Sequence, residues 1–182
     1  MMDTGLDSSD TRWSLFNTMT DKRLEEALRH LHPPSGTKLW HGGATVLGAL
    51  RGLSPQVAAW KPYSDRHSIW ELGLHVAYWN YAVQRRLTGG AKGEFPRSPS
   101  NWPELPKEQT PEAWKKDRHL LKVWHDLLVE AVEEFDKDRL DDRAGVDGQT
   151  SYADLITGIV LHDTYHAGQI QMMKRLARSS GV

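Results

Sequence analysis

Leu161-His162-Asp163-Thr164-Tyr165-His166-Ala167-Gly168-Gln169, near the C-terminal end of the 182-residue sequence, indicates a helix with one face in a core. Two histidines four residues apart lie on the same face of an α-helix. The surrounding apolar residues recur every three or four positions, which is the helical period. With the two histidines, this series contains Leu155, Ile159, Ile170 and Met173. Both imidazoles are therefore predicted to point inward, where each needs a polar partner or a shared metal ion.

The same period recurs upstream, with clear helix signals. Ser68-Ile69-Trp70-Glu71 forms a capping box, and its helix ends at Gly89-Gly90. Thr110-Pro111 begins the next helix, and Ser151-Tyr152-Ala153-Asp154 resembles a second capping box. Shorter helices are predicted over residues 21–31 and 39–53. Since no long alternating apolar pattern occurs, the sequence predicts an all-α four-helix bundle with an extra short N-terminal helix.

Composition limits the remaining possibilities. We expect a flexible leader over residues 1–20 and one helical domain over residues 21–182. The formal net charge of -1 argues against a nucleic-acid or membrane partner. The sequence has no cysteine, which excludes disulfides, thiolate ligands and a protein thiol nucleophile. The polar N-terminus and the lack of a long apolar run predict a cytoplasmic protein.

Residues 88–109 form a long loop between the second and third bundle helices. The segment contains four prolines and Trp102. Loops of this length in compact domains are usually functional or mobile. The sequence supports two alternatives equally, a lid over one end of the bundle and a surface crossover.

His75 extends the histidine pair to a candidate site. It lies beside the apolar stripe of the 68–87 helix, and metal sites in bundles are built from facing helices. Three imidazoles would leave a position for water or substrate, as in catalytic zinc sites. Asp163 follows His162 directly, so about 100° of helical rotation turns it away from such a site. The alternative is a set of core histidines with ordinary hydrogen-bond partners.

Four stretches together resemble the DinB-like superfamily over roughly residues 38–178. They are Trp40-His41-Gly42, residues 67–79, Tyr152-Ala153-Asp154-Leu155 and residues 162–170. The resemblance implies a four-helix bundle that binds a divalent metal, most often zinc or nickel, through His75, His162 and His166. It also implies a metal-dependent hydrolase or a transferase that uses a low-molecular-weight thiol, a small-molecule substrate and a homodimer.

Four further residues are candidates to orient the ligands or line the pocket. Gln169 follows His166 by three residues and could hold that ring. Glu71 precedes His75 by four residues, but its place in the capping box favours a capping role. Tyr78 and Tyr165 could line the pocket or pack in the core.

Other polar residues and a second function class complete the predictions. Asp117 is either a polar neighbour of the site or an exposed residue, and five further histidines are predicted at the surface or at helix ends. They are His30, His32, His67, His119 and His125. The alternative function is a non-catalytic, metal-stabilised bundle that acts as an interaction or stress-response protein.

Overall fold

The computed structural model describes residues 21–90, 93, 95–144 and 149–182. The helices in these ranges are α1 (Lys22–Leu31), α2 (Val46–Ala49), α3 (Pro55–Ala59), α4 (Ile69–Thr88), α5 (Pro111–Glu133) and α6 (Tyr152–Ser179), with a 3₁₀ turn at Lys137–Arg139. The described residues contain no strand, so the predicted all-α helical bundle is confirmed. The predicted leader, residues 1–20, lies outside the described residues. No helix in the described part of the chain has both the length and the apolar character needed to cross a membrane.

Local sequence signals fix the ends of the long helices. The Ser68 hydroxyl accepts from the Glu71 N–H at 3.2 Å, and the Glu71 carboxylate accepts from the Ser68 N–H at 2.7 Å. Ser151 and Asp154 make the same reciprocal pair at the start of α6. At the other end of α4, Gly89 adopts a left-handed conformation with φ of 67°. Both predicted capping boxes are therefore present.

The segment over residues 39–53 is less helical than its apolar spacing predicts. Only Val46–Ala49 is helical, with Thr45 as its N-cap. Gly42 and Gly52 flank this turn with φ of 69° and 70°, a region that side chains with a Cβ rarely adopt. A helix interior with several glycines loses about 1 kcal/mol at each relative to alanine. The segment consequently packs as a short turn against α6.

Packing places a polar layer across the middle of the bundle. α4 packs against both α5 and α6, and α1 also packs against α5 and α6. One apolar cluster includes Leu28, Val83, Leu128 and Ile156, and a second includes Trp70, Leu121 and Ile170. Between the two, buried polar residues interrupt the apolar series of all three long helices. They are His75 and Asn80 on α4, His125 on α5, and Asp163 and His166 on α6.

Candidate metal centre

Three histidines from two helices meet in the polar layer. One ring nitrogen from each of His75, His162 and His166 lies within 4.8 Å of the others. The Nε2 atoms of His75 and His162 are 3.2 Å apart. His75 and His166 are buried, and His162 is half-buried. The structure therefore brings together the three residues that the sequence predicts as metal ligands.

The opposite nitrogens of these rings face oxygen atoms. His75 Nδ1 donates to the Asn101 carbonyl at 2.8 Å, and His166 Nδ1 donates to the Gln169 side-chain oxygen at 2.7 Å. Because carbonyl oxygens only accept, both rings carry their proton on Nδ1 and present the Nε2 lone pair to the cluster. Metal-bound histidines usually make this outward hydrogen bond. The donor set therefore fits a divalent metal ion.

The electrostatics favour neutral rings. Burial, together with the neighbouring His162, lowers the pKa of His166 to about 4. Burial is also the main cause that lowers the pKa of His75. At neutral pH both imidazoles are consequently uncharged, which is the form that coordinates a metal.

A buried carboxylate lies behind His162. Asp163 Oδ1 is 3.4 Å from His162 Nδ1, on the side away from the cluster, as helical rotation predicts. With its amide nitrogen turned toward the carboxylate, Asn80 donates to Oδ1 at 3.2 Å and to Oδ2 at 3.3 Å. Burial raises the pKa of Asp163. Sequence reasoning missed this contact to His162, although the adjacent His-Asp pair is a visible signal.

The remaining predicted site residues lie in three different settings. The Glu71 carboxylate accepts from Ser68 and from Lys61 Nζ at 2.8 Å, so it acts in the cap. The Tyr165 ring centroid is 5.1 Å from that of His166, and its hydroxyl accepts from the Gln169 amide at 3.0 Å. Tyr78 contacts other aromatic rings, which are Trp79, Tyr81 and Phe95.

Part of the long loop directly contacts His75 of the three-histidine cluster. The Trp102 ring stacks on His75 with centroids 3.8 Å apart and planes 10° apart. Its other face stacks on His67 at 3.7 Å. Together with the Asn101 carbonyl, this stack means that residues 101–102 lie against His75 and do not form a detached crossover.

Two polar residues lie deeper than their sequence signals suggested. His125 was predicted at the surface or at a helix end, but only 4% of it is exposed, so that prediction is wrong. It follows Leu121 by four positions and precedes Leu128 by three, which is a core register on α5. Asp117 is also buried, and its carboxylate accepts from Trp70 Nε1 at 2.8 Å and from Arg97 Nη2 at 2.7 Å.

Comparison with known proteins is consistent with this geometry. The family model of the DinB superfamily matches residues 39–170, which is most of the chain. No curated protein and no solved structure matches the chain in the corresponding searches. The matched range contains α4, α5, about two thirds of α6, and all three clustered histidines. The chain belongs to the DinB superfamily.

Proposed function

We propose that the protein binds a divalent metal ion through His75, His162 and His166 and uses it as an enzyme on a small-molecule substrate. The observation that carries this proposal is the convergence of three imidazoles, two of which have their outer nitrogen held by a carbonyl oxygen. Three protein ligands leave one or more positions for water or substrate. Such an open position is typical of catalytic metal sites rather than structural ones.

Three neutral imidazoles suit zinc, nickel, iron(II) or copper, and of these we propose zinc or nickel, the metals that the family resemblance implies. When bound, the metal would act as a Lewis acid, either toward water in hydrolysis or toward the thiolate of a small thiol in group transfer. The chain's own part is to hold the rings, through Asn101, Gln169 and Asp163, and to keep His75 and His166 uncharged through burial. Because the sequence has no cysteine, the transferase alternative requires an external low-molecular-weight thiol.

The alternative of a non-catalytic, metal-stabilised bundle predicts a fourth protein ligand that closes the coordination shell. Glu71 and Asp117 are the carboxylates that could supply this ligand, but both are bonded elsewhere. Among the described residues, no further histidine or carboxylate joins the group of three. This observation supports the open site of an enzyme.

Elemental analysis tests the proposal. Protein purified without affinity metal or chelator should carry about one divalent ion per chain, as a single three-ligand site requires. The ion should be lost in His75→Ala and His162→Ala, and retained in His119→Ala, which changes an exposed histidine on α5. Metal-positive protein should then be screened for hydrolysis and thiol transfer. If wild-type protein stays metal-free after incubation with zinc and nickel salts, the proposal is wrong.

We also propose a homodimer, with a second copy covering the outer face of α6. Four large apolar residues on this face are between 44% and 65% exposed. They are Leu161, Tyr165, Met172 and Leu176. Their spacings of four, seven and four residues place them in one stripe, which a second copy would remove from water. Sedimentation equilibrium tests the assembly, and a monomer at all concentrations would contradict it.

A further inference from the structure

A partly buried ion pair connects α5 with the long loop. The Asp117 carboxylate accepts from Arg97 Nη2 at 2.7 Å, and the side chains of Asp117 and Arg97 are 4% and 25% exposed. Trp70 Nε1 donates to the same carboxylate oxygen at 2.8 Å. Removing two charges from water has a desolvation cost that often cancels their attraction. A contribution to stability alone therefore explains the presence of this ion pair poorly. This pair does fix where the loop lies on the bundle.

Between this anchor and His75, residues 98–104 of the long loop form a closed turn. The Glu104 N–H donates to the Ser98 carbonyl at 3.2 Å, which ties together the two sides of the turn that carries Asn101 and Trp102. Pro103, next to Trp102, is fully buried. The Arg97 anchor, the closed turn and the buried proline together define the positions of the Asn101 carbonyl and the Trp102 ring.

His75 depends on this loop in a way that the other two histidines do not. The partners of His166 and His162, Gln169 and Asp163, lie on the same helix as the rings they contact. The Nδ1 partner of His75 is instead a main-chain carbonyl of another segment, Asn101. The ring plane of His75 is likewise set by stacking on Trp102.

We propose that Arg97 and Asp117 are positioning residues for His75, acting through the Asn101 carbonyl and the Trp102 ring of the loop that they anchor. The inference rests on the proposed function for its metal readout, because it assigns these residues a role in setting the metal affinity of the site. Loss of the anchor lets the loop shift, which removes the acceptor that holds the proton on Nδ1 of His75. The Nε2 lone pair is then no longer held toward the other ligands.

Two variants and one control test the proposal on the full-length protein. Arg97→Met removes the cation of the anchor, and Trp102→Leu removes the stacking while leaving the anchor intact. Lys122→Met is the control, because it removes the cation of a solvent-exposed ion pair to Asp126 on the same helix α5. We expect the zinc or nickel affinity, measured by competition with a chromophoric chelator, to fall about tenfold or more in the first two variants and to stay unchanged in the control.

A second readout works without metal. The ¹⁵N chemical shifts of His75 in the metal-free protein should report an Nδ1–H tautomer in the wild type and a mixture of tautomers in Arg97→Met, where the Asn101 carbonyl is no longer held in place. Affinities within about twofold of wild type, with an unchanged His75 tautomer, would overturn the proposal. If Arg97→Met does not fold, Asp117→Asn decides by the same criteria, because it removes the anion of the same ion pair and keeps an acceptor for Trp70 Nε1. If the wild type binds no metal, the proposed function fails, while the tautomer still decides the positioning role.

Discussion

Replacing Gln169 by leucine should weaken metal binding with little effect on the metal-free fold. The Gln169 side-chain oxygen is 2.7 Å from His166 Nδ1, and leucine fills a similar volume without an acceptor. Loss of the group that orients a metal-bound histidine typically costs 10–100-fold in metal affinity. That range corresponds to about 1.4–2.8 kcal/mol.

The loss should appear in metal affinity because the Gln169→Leu substitution affects the metal-free and the metal-bound protein differently. In the metal-free variant, His166 can move its proton to Nε2 and leave an unprotonated Nδ1 beside the leucine. With metal on Nε2 the proton must stay on Nδ1, where it has no acceptor in a residue that is only 5% exposed. An unsatisfied buried donor costs about 1–3 kcal/mol, which agrees with the loss expected from metal-site precedents.

The assay is competitive titration of zinc or nickel against a chromophoric chelator, with thermal unfolding of the metal-free protein alongside. Gln171→Leu is the matched control, since Gln171 is a half-buried glutamine two residues further along α6. We expect weaker binding only in Gln169→Leu and similar unfolding temperatures in both. Wild-type affinity in Gln169→Leu, or an equal loss in Gln171→Leu, would refute this reasoning.

Three further predictions concern pH, capping and assembly. His166 has a pKa of about 4 in the folded protein against about 6.5 unfolded, so the unfolded state binds more protons between these values. The metal-free protein should therefore lose up to about 3 kcal/mol of stability as the pH falls from 6.5 to 4. Urea unfolding measures this loss, which should be smaller in His166→Gln. Ser68→Ala removes the N-cap of α4 and should lower the free energy of unfolding by about 1 kcal/mol without changing metal affinity. Leu161→Arg combined with Met172→Arg should yield a monomer by sedimentation, while Val123→Arg on α5 should not; a dimer in the double variant would contradict the proposed interface.

The long helices could be predicted because their signals are local. The capping box at Ser68 depends on residues within one turn, so four consecutive residues carry the information. Apolar spacing also placed His162 and His166 toward the core. The helix over residues 39–53 was overestimated, since apolar spacing does not count the conformations that Gly42 and Gly52 adopt.

The contacts around His75 could not be predicted in the same way. Its hydrogen-bond acceptor is the main-chain carbonyl of Asn101, and every residue type offers that group. The position of this carbonyl depends on Arg97 and Asp117, whose pairing is visible only once α5 is packed. His125 is a different case: its register between Leu121 and Leu128 was visible in the sequence, but its polarity favoured a surface position.

The polar layer has a consequence for stability that links the fold to the metal. Its buried histidines and carboxylate interrupt the apolar core, and polar groups there stabilise less than packed apolar side chains. A metal that binds the folded state alone adds RT ln(1 + [L]/Kd), which is about 2.7 kcal/mol at a free concentration of 100 Kd. Wild-type protein should therefore unfold at a higher temperature with zinc or nickel than after chelation, and His162→Ala should show no such difference. A metal-independent unfolding temperature in the wild type would mean that the three rings hydrogen-bond to one another without metal and that the polar layer has a structural role.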